Sequence, residues 1–302
     1  MISVFEQVFI LFAFALAGFI LCKAKLVAGD KVGLLSTLEF YLFLPCVTFQ
    51  TFSQRFTVAY LQEKYPLVLI SIVILIVLEL FVRVIAPRLT KDSYQRLVYR
   101  YSIMIPNFGY FGFALMQGLY GAEGLMDMMM FCLPMNVYVT TIGYMMLTNQ
   151  PDKLSVKKVL TPSIITMILG CIIGITGLTV PNALDQIIEK SAACMAPVSM
   201  LLAGMVIAQY KLKELLTNKQ AYIISAIRLL LVPAILFAVL KLANLQMAML
   251  AVIITYCCPC GLNPIVYGKL AGQDCSSGAS LALISTVLSM VTIPLCCYFF
   301  LA

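Results

Sequence analysis

Two stretches of this sequence, Pro106-Asn107-Phe108-Gly109 and Pro259-Cys260-Gly261-Leu262-Asn263-Pro264, interrupt segments that are otherwise apolar and long enough to cross a membrane. Proline and glycine break helices, and a break at membrane depth frees backbone N–H and C=O groups that lipid cannot satisfy. Such breaks persist only where protein or a water-filled cavity supplies the missing partners. A matched pair of breaks is typical of the binding site of a transporter.

The composition around these breaks is that of a membrane protein. Of the 302 residues, 62% are hydrophobic and 11% are charged, which is far from the composition of soluble domains. Apolar segments of about 20 residues repeat along the whole chain, the length that a membrane-spanning helix needs. No long polar stretch remains for a soluble catalytic or nucleotide-binding domain, and no Walker-type loop is present. We therefore predict an all-α membrane protein that forms a single domain over 1–302 and is not an enzyme.

The positions of the basic residues predict the topology. Of the 20 Lys and Arg residues, 15 follow odd-numbered spans, four follow even-numbered spans and Arg228 lies within a span. By the positive-inside rule, both termini are extracytoplasmic. The first span has no basic region before it, so we expect no cleavable signal peptide. The net charge of +7 reflects this topology, and we expect no nucleic-acid partner. We predict ten spans: 4–22, 33–53, 65–86, 98–119, 125–147, 160–179, 191–208, 221–243, 247–270 and 279–301.

Ten spans divide into two halves of five, and an odd number per half places the second half upside down relative to the first. We therefore predict a 5+5 inverted repeat, with one repeat over 1–148, the other over 159–302 and a cytoplasmic linker over 149–158. The two breaks fall in the fourth span of each half, which are spans four and nine of the chain. This correspondence favours a functional role for the two breaks over the alternative that each is an unrelated, tolerated helix kink.

Asparagine side chains are the candidate substrate contacts at the breaks. An amide offers donors and an acceptor without net charge, so it can bind a carboxylate at membrane depth without burying a second ion. The alternative is that each asparagine caps a half-helix beside its break, and both roles can hold at once. The N-termini of half-helices also favour an anion. The candidate substrate-binding residues are Pro106, Asn107, Gly109, Gly261, Asn263 and Pro264.

Glu39 and Arg228 are the ionisable residues within spans that most need an explanation. Both lie about eight residues from the predicted cytoplasmic side, near enough in depth for a structural ion pair, and such residues are functional candidates. Glu79 is explained by an i,i+4 pair with Arg83. Because the chain has no histidine, proton coupling would require a carboxylate, for which Glu39 is best placed. Sodium coupling would use unwound backbone carbonyls instead, and both alternatives stay open.

No cofactor and no metal are expected. The chain has 11 cysteines, and Cys257, Cys258 and Cys260 follow one another closely enough to suggest a soft-metal site. Helical spacing turns these thiols in different directions, and there is no histidine to complete a ligand set. We therefore interpret the cysteines as small hydrophobic residues that pack within the spans.

Several runs of this sequence are typical of one family of permeases. They are Tyr41-Leu-Phe-Leu-Pro45-Cys46-Val-Thr-Phe49, Ala196-Pro197-Val-Ser-Met-Leu-Leu-Ala-Gly204, Arg228-Leu-Leu-Leu-Val-Pro233, and the stretch from Asn263 to Ser285-Thr286-Val-Leu-Ser289-Met-Val-Thr-Ile-Pro294. Together they resemble the auxin efflux carrier family of bacterial and plant permeases, over essentially the whole chain. The resemblance implies broken, crossing fourth and ninth helices, a scaffold distinct from a moving crossover domain, and secondary transport of small organic anions across the plasma membrane.

Carried over by position, Asn107 and Asn263 match the crossover asparagines of that family. The family usually has Gly-x-Pro-Leu after its span-four asparagine, whereas this chain has alanine at position 114, after Gly112. The span-four break is therefore expected to be shallower here, or to be set by Pro106 and Gly109. The long cytoplasmic loop of plant carriers is absent, which favours a bacterial-type permease.

The resemblance makes a small carboxylate the expected substrate, moved by alternating access. The other expected partners are the surrounding lipid and, as an open alternative, a second copy of the chain in a homodimer. A different class of function also stays open, in which a ligand-binding membrane sensor retains the transporter fold.

Overall fold

The computed structural model describes residues 2–148 and 159–301, and these residues are helical apart from short connections. The predicted linker over 149–158 lies outside them. In the first half the helices are α1 (Ile2–Lys23), α2 (Val32–Leu38), α3 (Leu44–Arg55), α4 (Val58–Lys64), α5 (Pro66–Leu89), α6 (Ser93–Met104), α7 (Phe113–Tyr138) and α8 (Tyr144–Thr148). A 3₁₀ turn over Gly29–Lys31 precedes α2.

In the second half the helices are α9 (Pro162–Thr176), α10 (Asn182–Ala193), α11 (Met195–Ala208), α12 (Leu212–Leu216), α13 (Lys219–Ala226), α14 (Val232–Leu242), α15 (Gln246–Cys257), α16 (Asn263–Leu270) and α17 (Ser276–Leu301). Wider π-helical turns join three pairs of these helices, and a fourth leads from the first break into α7. Such turns are frequent at functional sites. The π segments are Glu39–Phe43, Phe108–Gly112, Val139–Gly143 and Ile227–Leu231.

Polar caps and prolines fix where several helices begin. The side chains of Thr57, Asp92, Thr161 and Asn218 each accept a hydrogen bond from a backbone N–H three residues later. These contacts satisfy N–H groups that have no partner within the first helical turn. Proline occupies the first turn of α5 and α9, where its missing N–H costs nothing. The starts of these helices are therefore encoded locally.

Seven helical stretches of the described chain are long and apolar enough to cross a membrane. They are Ser3–Lys23, Val32–Arg55, Val58–Leu89, Phe108–Thr148, Asn182–Ala208, Lys219–Leu242 and Ser276–Leu301. Two shorter apolar helices, α9 and α15, accompany them. The structure thus confirms an all-helical protein with several spans, and the arrangement as ten spans in a 5+5 inverted repeat stays a prediction.

The longest of these stretches is divided within α7. Gly121 has a φ of 65° and a ψ of −161°, a conformation outside the helical region that glycine adopts without steric cost. The sequence predicts the boundary between spans four and five over 119–125, and Gly121 lies inside that interval. The helical axis therefore changes direction where the sequence separates two spans.

Two helix pairs approach closely enough that only glycine fits between them. α1 packs along α11, and α9 packs along α3. A Cβ atom at Gly204 would overlap the carbonyl group of Ala15, and one at Gly174 would overlap the carbonyl group of Phe56. Small residues of this kind let helix backbones pack closely within a membrane, where van der Waals contact replaces the hydrophobic effect as the driving force.

The helices that contain the two breaks form the rest of the core. α5 packs on α6 and α7, while α15 packs on α14 and α17. Most residues of α15 are buried, including Val252, Ile253 and Ile254. α5 in contrast exposes a broad apolar face, as expected for a helix that contacts lipid. The broken helices therefore lie inside the protein, which is where irregular backbone can be satisfied.

Candidate functional site

The two predicted breaks are in direct contact. The backbone N–H of Asn107 donates a hydrogen bond of 2.8 Å to the carbonyl oxygen of Pro259. Pro106 and Cys260 form an isolated antiparallel bridge. The extended segment between α6 and Phe108 therefore lies antiparallel to the extended segment between α15 and α16. We call this contact the crossing, defined by residues 105–107 and 258–262.

The break in the first half is complete in spite of the alanine at position 114. Ile105 has an extended backbone conformation, Asn107 has a ψ of 59°, and helical structure resumes only at Phe108. Ala114 is buried inside α7, eight residues beyond Pro106, and takes no part in the break. The expectation of a shallower break is thus wrong, and Pro106 lies where the helix is interrupted.

In the second half the prolines have different roles. Pro259 lies in the extended segment and provides the carbonyl group that Asn107 contacts. Pro264 lies in the first turn of α16, where its missing N–H is tolerated. Gly261 is buried, and a Cβ added to it would make only ordinary contacts with Pro106. The N–H of Cys260 donates to the hydroxyl oxygen of Ser285 on α17 at 2.9 Å. Neighbouring protein thus satisfies the unwound backbone at two points.

Two helical segments begin at the crossing. The π segment starts at Phe108, and α16 starts at Asn263. The N-terminal end of a helix carries a partial positive charge and attracts anions. The backbone oxygen of Asn107 accepts from the N–H groups of Phe111 and Gly112, so part of the first turn is already satisfied. Both ends lie within a few residues of the bridge between Pro106 and Cys260, which places two positive ends in the same region.

The two asparagine side chains differ in their partners. The Asn263 amide donates to the hydroxyl oxygen of Tyr101 on α6 at 2.6 Å. Asn107 is buried, with 8% of the residue exposed, and its side-chain amide makes no hydrogen bond to any residue in the described ranges. Neither side chain caps the helical segment that follows it. The capping alternative is therefore wrong, and the Asn107 amide keeps its hydrogen-bonding groups available.

Arg228 lies in the π segment Ile227–Leu231 of predicted span eight, and its side chain binds the end of the helix that precedes the second break. Its side chain is fully buried, its Nη1 donates to the carbonyl oxygen of Tyr256 at 2.9 Å, and its Nη2 lies 3.5 Å from the carbonyl oxygen of Thr255. The guanidinium also lies 5.1 Å from the centroid of the Tyr256 ring. These carbonyl groups belong to the last turn of α15, where a cation is favoured by the helix dipole. Arg228 therefore closes the end of α15 next to the crossing.

Glu39 lies in a different part of the protein, at the start of the first π segment. Its carboxyl group is fully buried, and its Oε1 accepts from the hydroxyl of Ser199 on α11 at 2.6 Å. Its Oε2 has no hydrogen-bond partner among the described residues. Glu39 and Arg228 do not form the ion pair that the sequence suggested, because Arg228 binds carbonyl groups of α15 while Glu39 binds a hydroxyl of α11.

Glu79 has the partner that the sequence predicts and two more. Its carboxylate contacts the Arg83 side chain at 2.7 Å, the Arg100 side chain at 2.5 Å and the hydroxyl of Tyr138 at 3.3 Å. The i,i+4 prediction is confirmed, and Arg100 adds a contact between α5 and α6. These partners explain why a charged side chain is tolerated within predicted span three, so Glu79 needs no role in transport.

A further polar cluster joins α4 to α7. The Tyr60 hydroxyl donates to Oδ1 of Asp127 at 2.8 Å, and the Lys64 ammonium lies 3.0 Å from Oδ2. Beside it is a cavity of about 470 Å³. The sequence predicts that this end of the molecule is extracytoplasmic. The cavity is lined by Arg55, Thr57, Ala59, Tyr60, Glu63, Glu123 and Met126.

Sequence reasoning missed the tyrosine and serine side chains that surround the candidate residues. Tyr101 contacts Asn263 across more than half of the chain, so no local pattern could identify it. Ser199 and Ser285 do lie within the runs that resemble the auxin efflux carrier family, which is a signal that could have found them. Their partners, however, are evident only in the folded structure.

The fold and the crossing define the class of this protein. It is a helical protein with several membrane spans whose backbone is unwound in two places that contact each other, as in proteins that move solutes across membranes. A family model described as a membrane transport protein matches residues 3–157 and 151–297. The chain therefore belongs to this family of membrane transport proteins, the auxin efflux carrier family, and the resemblance is confirmed. No curated protein matches the chain.

Proposed function

We propose that this protein is a secondary permease that moves small organic anions, mono- or dicarboxylates, across the plasma membrane by alternating access. The observation that carries the proposal is the crossing, where two unwound segments meet beside two helix N-termini. The Asn107 amide lies there with its hydrogen-bonding groups free of any described partner. This environment suits a carboxylate, because the amide supplies hydrogen-bond donors and the helix N-termini supply partial positive charge.

The proposed substrate contacts are the six residues that the sequence selects at the breaks. Asn107 and Asn263 would donate to substrate oxygens, and Asn263 would exchange its bond with Tyr101 for one with the substrate. Pro106, Gly109, Gly261 and Pro264 would hold the backbone in its unwound course. The proposed arrangement is ten spans in a 5+5 inverted repeat with both termini extracytoplasmic, in which helices four and nine cross.

Alternating access requires one group of helices to move against another. The glycine contacts between α1 and α11 and between α9 and α3 favour a rigid scaffold, since a close-packed pair resists deformation. The crossing lies in the other helices, α5 to α7 and α13 to α17. We propose that this second group carries the substrate as a unit past the first.

Transport by purified protein in liposomes tests this proposal. Uptake of radiolabelled malate, succinate, acetate and an uncharged sugar would be compared in vesicles with and without the protein. We expect uptake of one or more carboxylates and none of the sugar. Binding of a carboxylate without any flux under an imposed gradient would instead show a sensor and refute transport.

The Asn263→Ala variant tests the site. We expect at least a tenfold loss of carboxylate uptake, because a lost hydrogen bond to a charged group is worth about 1.5–3 kcal/mol. Asn182→Ala is the control, because Asn182 is an exposed residue of α10 that contacts only Gln186 among the described residues. Wild-type uptake in Asn263→Ala, with both proteins present in the membrane, would remove this asparagine from the mechanism.

A further inference from the structure

The buried carboxyl group of Glu39 has an incomplete set of partners. Ser199 donates to one oxygen, and the other oxygen has no hydrogen-bond partner among the described residues. An ionised carboxylate that is fully buried with one hydrogen bond is costly, because burial removes water from the charge and one hydroxyl does not replace it. Binding of a proton removes that cost, since a neutral acid tolerates an apolar environment far better.

No basic side chain of the described elements packed around Glu39 forms an ion pair with it. α2, α9 and α11 contain no Asp, Glu, Lys or Arg, and these helices contact the π segment that begins with Glu39. Tyr110 is the titratable residue of the π segment Phe108–Gly112, which packs on α11, and α11 also contacts the π segment that begins with Glu39. Tyr110 follows Asn107 by three residues and lies within electrostatic reach of Glu39. The remaining ionisable groups of α3, α9 and α10 make no ion pair or hydrogen bond with Glu39: Cys46, Arg55, Cys171, Asp185, Glu189 and Lys190.

Tyr110 connects the carboxyl group to the crossing. It lies in the π segment Phe108–Gly112, which begins directly after the first break and packs against α11, the helix that bears Ser199. Glu39 begins the π segment Glu39–Phe43, which continues directly into α3. α3 is one of the helices of the proposed scaffold. Tyr110 and Glu39 therefore belong to the two different groups of helices that the proposed function moves against each other.

We propose that Glu39 is the proton-binding site of the transport cycle and that Tyr110 couples its occupancy to the position of the crossing. The proposal rests on the proposed function, and it selects the proton over sodium as the coupling ion. One carboxylate binds one proton to form the neutral acid. When the crossing brings the Tyr110 hydroxyl toward Oε2, a second donor stabilises the carboxylate and the proton leaves. When the crossing moves away, the proton returns.

Sodium fits this position poorly. A hard cation takes several oxygen ligands that turn their lone pairs toward it. The polar partner of Glu39 is a hydroxyl that donates its hydrogen to the carboxylate. Apart from the carboxylate itself, the described hydrogen bonds at this site supply one oxygen, that of Ser199, which is fewer than a cation requires, whereas a proton needs only the unpartnered Oε2.

Infrared spectroscopy of the purified protein tests proton binding without any substrate. We expect the carbonyl-stretch band of a protonated carboxyl group to disappear reversibly from mildly acidic to alkaline pH in the wild type and to be absent from Glu39→Gln. Glu79→Gln is the matched control and should keep the band, because Glu79 already has Arg83 and Arg100 as partners. A wild-type band that does not titrate, or a titrating band that persists in Glu39→Gln, would overturn the proposal.

Ser199→Ala provides a second variant in which the carboxyl group remains. We expect its band to titrate at higher pH than in the wild type, because the hydroxyl that stabilises the carboxylate is gone. An unchanged titration would contradict the assignment of the band to Glu39. This variant keeps the proposal testable if Glu39→Gln fails to fold.

Uptake in liposomes tests the coupling. If malate is carried, an imposed pH gradient should change its accumulation several-fold in the wild type and in Glu79→Gln, and Glu39→Gln should lose this response. Accumulation that depends on sodium and ignores the pH gradient would overturn the proposal. If no carboxylate is carried, the proposed function fails, whereas the infrared titration still decides whether Glu39 binds a proton.

Discussion

Replacement of Arg228 by methionine should loosen the second break. Methionine matches the unbranched aliphatic stem of arginine but has no donor, so the carbonyl group of Tyr256 would lose its hydrogen bond of 2.9 Å. Burial prevents water from replacing that bond, because the arginine side chain is fully enclosed. The last turn of α15 would then end without a cation or a donor next to Cys258 and Cys260.

The size of the effect follows from these contacts. A buried carbonyl group without a partner costs about 1–3 kcal/mol, and the lost contact of the guanidinium with the Tyr256 ring adds about 0.5–2 kcal/mol. Removal of the buried cation offsets part of this loss of stability, because a desolvated charge is itself unfavourable. The Thr255 contact adds little, because at 3.5 Å it is at the limit of a hydrogen bond. The net expectation is a loss of about 1–3 kcal/mol.

The cysteines of this chain provide the assay. A fluorogenic maleimide that reacts with thiols on unfolding would report on loss of the fold, because most of the cysteines are buried, among them Cys257, Cys258 and Cys260 at the break. Cys194 is exposed and would be replaced by serine to remove its background signal. At roughly 2–4 °C per kcal/mol for a large domain, the unfolding midpoint of Arg228→Met should fall by several degrees.

Lys241→Met is the matched control for this experiment. It removes a cation from the same span, but Lys241 is an exposed side chain whose contact is with the Phe237 ring at 5.5 Å. We expect its midpoint to stay within about one degree of the wild type, because surface substitutions usually change stability by less than 0.5 kcal/mol. Equal midpoints and equal thiol reactivity for Arg228→Met and Lys241→Met would refute the role of Arg228 at the end of α15.

Two further predictions concern packing and charge. Gly204→Ala should lower the unfolding midpoint by an amount equivalent to at least 1–3 kcal/mol, because overpacking strains closely packed helices; Gly33→Ala, whose Cβ would meet nothing within 4 Å, should have no such effect. In a double-mutant cycle, Lys64 and Asp127 should show a coupling above the roughly 0–1 kcal/mol typical of exposed pairs, because their side chains are only 17% and 14% exposed. The exposed pair Lys211 and Glu214 is the comparison. A coupling free energy as small in Lys64 and Asp127 as in that pair would contradict the effect of burial.

The positions of the breaks were predictable from sequence because they depend on local chemistry. Pro106 and Pro259 each lie in an extended segment, and Pro264 lies in the first turn of a new helix. A proline removes a backbone donor and clashes with the preceding turn in any context. Glycine also acts locally, because it adopts a positive φ without steric cost. Gly121 does so and divides α7 within the predicted boundary between spans four and five.

The partners of the buried polar groups were not predictable in this way. The sequence places Glu39 and Arg228 at similar depth, and depth alone suggests an ion pair. The structure gives each of them a different partner, Ser199 for one and the carbonyl groups of α15 for the other. Depth depends on position along a helix, whereas contact depends also on the rotation of that helix and on its neighbours.

The sequence by itself determined that this chain is a helical membrane protein, where its helices break and which family it belongs to. These properties follow from hydropathy, from proline and glycine chemistry and from local runs of residues. The tertiary structure alone decided that the two breaks touch, that the Asn107 amide lacks a partner in the described chain, and that Ser199 is the partner of Glu39. Each of these facts joins residues far apart in sequence, and only the packing of whole helices sets the distance between them.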